Sequence, residues 1–171
     1  MSRRTSGLVV ALLFLATACG VNGLSFKNDE RVDIVAPKDR AEVQFPVAIR
    51  WTVKDFSVTG PNERSDPNSG YFGVFVDREP QPPGETFRYL SRNDATCKIT
   101  PGCPSTGYFE SLGAYVTTKT SFVITSLPER RPESERRFRD FHEVNVVLLD
   151  GRGERIGESA FRVEFQLRRE S

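Results

Sequence analysis

The chain has 171 residues, and its 24 lysines and arginines against 23 aspartates and glutamates give a formal net charge of +1. This balance argues against a nucleic-acid partner, which would need a clustered basic surface, and against electrostatic attraction as the main hold on a membrane. The length favours one domain with a sizeable hydrophobic core.

An apolar stretch at residues 7–18 follows Arg3 and Arg4. Its length fits the apolar region of a signal peptide, roughly 7–15 residues. It is too short for a membrane-spanning helix, which needs about 20 apolar residues. We therefore expect residues 1–18 to be a signal peptide and the rest of the chain to be exported.

Residues 15–19 read Leu-Ala-Thr-Ala-Cys. They resemble the lipobox of bacterial lipoproteins, in which small residues precede a cysteine. The resemblance implies cleavage before Cys19 and acylation of its thiol by diacylglycerol and palmitate-type chains, so that residues 19–30 would tether the protein to the cell membrane. A plain secretory cleavage site, Ala-x-Ala at residues 16–18, also fits and would leave Cys19 as an exposed free thiol.

After this tether, apolar residues alternate with polar ones at a period of two, which predicts strands with one polar face. The apolar positions are Val32, Ile34 and Ala36; Val47, Ile49, Trp51 and Val53; Phe72, Val74 and Val76; Phe122 and Ile124; and Phe161, Val163, Phe165 and Leu167. Residues 144–149 are apolar on both faces apart from Asn145, as expected for a central strand. No stretch predicts a long amphipathic helix, and the charged residues 130–139 favour a solvated loop.

Turn-rich clusters separate these stretches, so the fold class predicted for residues 31–171 is an antiparallel β-sandwich. Three segments resemble fibronectin type III and related immunoglobulin-like domains: 48–52 with Trp51 as a second strand, 121–127 as a fifth strand, and 144–159 as a last hairpin. The resemblance implies an all-β, immunoglobulin-like domain, in which residues 79–112 form a long insertion.

Two cysteines, Cys97 and Cys103, enclose a short segment with a Pro-Gly turn. In an exported chain this pattern predicts a disulfide that closes the insertion. A metal site or two free thiols are the alternatives. A zinc site needs about four ligands, and the only histidine, His142, lies far along the chain, so we expect no metal.

The sequence contains none of the catalytic patterns that are commonly recognised. It has no phosphate-binding glycine loop, no His-Glu-x-x-His and no Gly-x-Ser-x-Gly. His142 stands at the start of a predicted strand, where a packed or capping role is the usual one. We therefore expect no catalytic residues, no cofactor and no enzyme activity.

Aromatic residues gather around the insertion, and Tyr108, Phe109 and Tyr115 form a candidate binding surface. They could instead cover an enlarged sandwich. The expected function is a non-enzymatic, membrane-anchored lipoprotein whose immunoglobulin-like domain binds or scaffolds an envelope protein. The alternative is a carbohydrate or cell-wall binding module that uses the aromatics of residues 79–117.

Overall fold

The computed structural model describes residues 29–63, 66–128 and 141–168. The predicted signal peptide, Cys19, most of the predicted tether and the charged residues 130–139 lie outside the described residues. Within the described ranges, no helix is long and apolar enough to cross a membrane.

The described chain is built mostly of strands. In chain order they are β1 (Val32–Ala36), β2 (Ala41–Val43), β3 (Val47–Val53), β4 (Ser57–Val58), β5 (Ser69–Val76), β6 (Ala114–Thr117), β7 (Ser121–Ile124), β8 (His142–Leu149) and β9 (Arg155–Leu167). Between β5 and β6 lie a 3₁₀ helix (Phe87–Ser91) and two short helices, α1 (Ala95–Ile99) and α2 (Thr106–Ser111). We call residues 78–113, which carry these helices, the insertion.

The strands form two sheets. The first sheet has the order β1-β3-β7, and both of its pairings are antiparallel. The second sheet has the order β2-β9-β8-β5-β4, and β6 also pairs with β5. The central pairings β5–β6, β5–β8 and β8–β9 are antiparallel. The short strand β2 pairs in parallel with β9, and the short strand β4 pairs in parallel with β5. The prediction that residues 144–149 form a central strand is confirmed, because β8 lies between β5 and β9.

One main core lies between the two sheets. In β3, buried Val47, Ile49 and Trp51 alternate with exposed residues, as the period of two predicts. The Trp51 ring meets Phe72 of the second sheet edge-on, with ring centroids 5.2 Å apart. Val74, Val144, Val146 and Val163 are among the residues that complete this core.

The prediction of a polar face for β5 is wrong, because β5 is buried on both faces. Phe72, Val74 and Val76 face the main core, and Tyr71 and Phe75 belong to a second, smaller core on the outer face of the second sheet. Residues of the insertion pack on this second core. The physical reason is that Tyr71 and Phe75, between the expected core positions, are also apolar or aromatic and are covered by the insertion.

Candidate functional site

The disulfide predicted between Cys97 and Cys103 is present, with the two Cα atoms 5.2 Å apart. It joins α1 to the segment that leads into α2. Each helix is also capped by a side chain: Asp94 accepts a hydrogen bond from the Cys97 amide at 2.9 Å, and Ser105 accepts one from the Tyr108 amide at 3.3 Å. The disulfide and the two caps therefore fix the local shape of the insertion.

A chain of edge-to-face aromatic contacts holds the insertion on the second sheet. Phe75 of β5 contacts Phe87, Phe87 contacts Phe109 of α2, and Phe109 contacts Tyr108, at centroid distances of 5.3, 5.4 and 5.7 Å. Such pairs contribute about 0.5–1.5 kcal/mol each beyond the area that they bury. The sheet thus positions the rings of the insertion side by side.

A groove of about 360 Å³ opens between the insertion and the outer face of the second sheet. We call it the insertion groove. The sheet contributes Tyr71, Val116 and Leu149. The insertion contributes the side chains of Phe87 and Phe109, with Pro104, which follows the disulfide. Both contributions are apolar or aromatic, so the groove offers mainly hydrophobic contact.

The remaining residues of the insertion groove give it a positive character. They are Thr86 and Arg88 of the insertion, and Arg152 and Gly153 of the turn between β8 and β9. Within the described part of the chain, no lining residue is acidic. Arg152 pairs with Asp150 at 3.4 Å and with Glu154 at 2.9 Å. Arg88 is exposed and forms no ion pair with any residue that the structure describes, which leaves its guanidinium available to a ligand.

The hydroxyl of Tyr71 lies beside the turn between β8 and β9. A Cβ placed on Gly153 would come within 3.0 Å of this hydroxyl, and Gly153 has a φ of +82° that favours glycine. Burial raises the pKa of Tyr71, and the nearby Asp150 carboxylate raises it further. The hydroxyl of Tyr71 therefore stays protonated at neutral pH.

The three predicted surface aromatics do not lie together. Phe109 lines the insertion groove, and the Tyr108 hydroxyl beside it donates to Asp94 at 3.1 Å. Tyr115 opposes Val74 in the β5–β6 register, on the face turned toward the first sheet, and packs on Phe122 with centroids 4.8 Å apart. Burial raises the pKa of Tyr115, and the nearby Glu110 carboxylate raises it further. Tyr115 is thus separated from Tyr108 and Phe109 by the sheet itself.

His142 is held in a buried pair that the sequence analysis did not predict. Its Nδ1 lies 2.7 Å from Oδ2 of Asp77, and the other carboxylate oxygen of Asp77 accepts from the Glu143 amide at 3.0 Å. The ring also packs against Phe165, with centroids 5.7 Å apart. Among the described residues, no group of three or more His, Cys, Asp or Glu side chains is placed to hold a metal ion. The pair ties the end of β5 to the start of β8.

A second groove, of about 440 Å³, crosses the polar part of the same sheet face. Its arginines are already engaged: Arg162 pairs with Glu143 at 3.2 Å, and Arg155 donates to the backbone oxygens of Gln81 at 2.8 Å and Glu158 at 2.7 Å. Burial lowers the pKa of Arg155, while the Glu158 carboxylate opposes that shift. The other lining residues are Glu79, Pro80, Asn145 and Ala160. The insertion groove is therefore the better candidate for ligand binding.

Comparison of the chain with known protein families, with curated proteins and with solved structures finds no match. Its function is therefore inferred from its residues and their geometry.

Proposed function

We propose that this protein is a non-enzymatic lipoprotein of the bacterial envelope. Acylated Cys19 anchors it to the outer side of the cell membrane, and an immunoglobulin-like sandwich presents the insertion groove to a protein partner. The observation that carries the proposal is the insertion groove itself, which combines an apolar and aromatic lining with an arginine that forms no ion pair among the described residues. Binding sites are typically apolar depressions with a few placed polar groups.

The strand order supports the immunoglobulin-like assignment. In that fold the first, second, fourth and fifth strands share one sheet, and the third, sixth and seventh share the other. Here β1, β3 and β7 form one sheet, while β5, β8 and β9 lie in the other. If the short strands β2, β4 and β6 are treated as additions, the six remaining strands correspond to all but the fourth strand of that fold. Buried Trp51 takes the place of a core tryptophan in the second strand.

The environment of His142 supports a non-catalytic role. A general base must reach a reacting proton from an accessible position. His142 is only 7% exposed, and its Nδ1 is held by Asp77. The side chain that most enzyme templates would use is therefore engaged in holding two strands together.

The lipid anchor is tested by the intact mass and the membrane partitioning of the protein produced in a bacterial host. We expect a mass that fits cleavage before Cys19 plus acyl chains, and we expect Cys19→Ala to move the protein out of the membrane fraction. Arg88→Gln serves as the matched control, because it changes the groove and should leave partitioning unchanged. Equal membrane binding of Cys19→Ala and wild type would contradict the anchor.

The partner site is tested by placing a photo-crosslinking residue at Val116, which lines the groove and is 48% exposed. We expect a specific crosslink to a protein from cells, and we expect Phe109→Ala to remove it. Ile99 is 82% exposed and lies in α1 away from the groove, so it is the control position. Crosslinks that are identical at both positions would contradict a partner site in the groove.

A cell-wall glycan is the second candidate ligand, and the rings of Phe87 and Phe109 in the groove are the observation that favours it. Aromatic rings are common platforms for sugar rings. In a pull-down with purified cell-wall glycan, this alternative predicts binding that Phe109→Ala abolishes. Tyr108→Ala is the comparison variant, because Tyr108 lies beside the groove and does not line it.

A further inference from the structure

We propose that the ligand of the insertion groove is an acidic segment of a protein partner. This inference rests on the proposed function, which it makes more specific. A large apolar side chain of the segment would lie among Phe87, Phe109 and Leu149, and a neighbouring Asp or Glu carboxylate would pair with Arg88.

The lining of the groove favours a peptide over a sugar. Apart from the guanidinium groups of its two arginines, the polar side-chain groups of the lining are the hydroxyls of Tyr71 and Thr86. A sugar ring carries several hydroxyls, and each one that is buried without a partner costs about 1–3 kcal/mol. An aliphatic or aromatic side chain makes no such demand and gains from the apolar contact.

The charge of the groove selects an anionic partner. Arg88 brings a positive charge to the rim, none of the described lining residues is acidic, and no described residue forms an ion pair with Arg88. A guanidinium presents a planar fork of donors that matches a carboxylate in a two-bond arrangement. Arginine next to aromatic residues is also the composition typical of energetically dominant interface positions.

The size of the groove limits how much of a partner can enter. A volume of about 360 Å³ lies near the lower end of the range for ligand pockets, roughly 300–1,000 Å³. It therefore suits one or two side chains of an extended segment better than the face of a folded domain. Arg88 also differs from the arginines of the second groove on the same sheet face. Those arginines are already engaged by Glu143 and by backbone oxygens.

The test is a selection from a phage-displayed library of random dodecapeptides on the full chain, purified in detergent. We expect the enriched peptides to carry Asp or Glu next to a large apolar residue. The most enriched peptide, made synthetically with a fluorescent label, should bind at least tenfold more weakly to Arg88→Gln than to wild type. The control is Arg92→Gln, whose affinity for the peptide should stay within twofold of the wild-type affinity. Arg92 does not line the groove, and its guanidinium stacks on the Tyr89 ring, with the guanidinium carbon 3.6 Å from the ring centroid.

Each other outcome overturns the inference in a recognisable way. If neutral peptides are enriched and Phe109→Ala abolishes their binding, the groove is a protein site without acidic preference, and the proposed function stands alone. If acidic peptides bind equally to wild type and Arg88→Gln, Arg88 does not recognise the ligand. If no peptide is enriched, the inference fails. Cell-wall glycan binding that Phe109→Ala abolishes would then overturn the proposed protein partner as well.

Discussion

Replacing Asp77 with alanine should be one of the most destabilising single changes in the domain. The Asp77 carboxylate is 1% exposed and accepts hydrogen bonds from His142 at 2.7 Å and from the Glu143 amide at 3.0 Å. With Asp77 as a carboxylate, which only accepts, Nδ1 of His142 is the donor of this hydrogen bond. Alanine would leave the buried His142 donor and the part-buried Glu143 amide without their acceptor.

The magnitude follows from two contributions. A buried donor that loses its partner costs about 1–3 kcal/mol, and two such donors in one network cost less than twice that figure. Asp77 also has a φ of +51°, where alanine is disfavoured by about 1–2 kcal/mol and aspartate or asparagine is tolerated. We expect Asp77→Ala to lower the free energy of unfolding by about 3–5 kcal/mol. Asp77→Asn, which keeps an acceptor and tolerates the backbone conformation, should lower it by about 1–2 kcal/mol.

The assay is equilibrium urea denaturation followed by the fluorescence of Trp51, which is the only tryptophan in the chain and is 3% exposed. Both variants should shift the midpoint without changing the slope. Asp33→Ala is the matched control, since Asp33 is exposed on β1, and we expect it to stay within about 0.5 kcal/mol of wild type. The reasoning would be refuted if Asp77→Ala lowered the free energy of unfolding by less than about 1 kcal/mol, or if Asp77→Ala and Asp77→Asn lowered it equally.

Two further predictions concern the insertion and its groove. Replacing Cys97 and Cys103 together with serine opens a loop with a sequence separation of 6 residues. It should lower stability by about 2 kcal/mol and speed proteolysis of the insertion, as measured by denaturation and by limited digestion. Wild-type stability should fall as pH rises above about 10, because burial raises the pKa of Tyr71 in the folded chain while the unfolded chain loses the same proton more readily. Tyr71→Phe should reduce that decline in denaturation experiments between pH 9 and pH 11.

Clear results would contradict each of these expectations. Unchanged digestion of the double serine variant would show that the helix caps and the aromatic contacts hold the insertion without the disulfide. An alkaline decline that is identical in wild type and Tyr71→Phe would show that Tyr71 titrates alike in the folded and unfolded chains. Lys119→Gln, an exposed change in the turn between β6 and β7, is a suitable control for both experiments.

The parts of the fold that local sequence specifies were predictable. Alternation places one face of a strand on a core, so β1, β3 and β9 could be recognised from single stretches of chain. Continuous apolar character likewise identified β8 as a central strand. The disulfide was predictable because Cys97 and Cys103 are close in sequence and flank a Pro-Gly turn.

The parts that depend on distant contacts were not predictable. The strands β2 and β4, of three and two residues, are too short for a periodic pattern. The pair of Asp77 and His142 joins residues 65 positions apart, and no local pattern encodes it. The separation of Tyr115 from Phe109 depends on the register of β6 against β5, which a sequence of aromatics does not reveal. Nor does a sequence show that Arg88 lacks an ion pair within the described chain.

The two ends of the insertion meet within a single β-ladder. Phe75 opposes Ala114 across the β5–β6 pair, and the Val76 amide donates to the Gly113 carbonyl at 2.8 Å. The segment from 78 to 113 is thus an enlarged hairpin connection, and the main core contains none of its residues. Such a segment can be exchanged for another of different length or chemistry without changing the strands that fold the domain. The condition is that the replacement covers the apolar outer face that Tyr71 and Phe75 help to form.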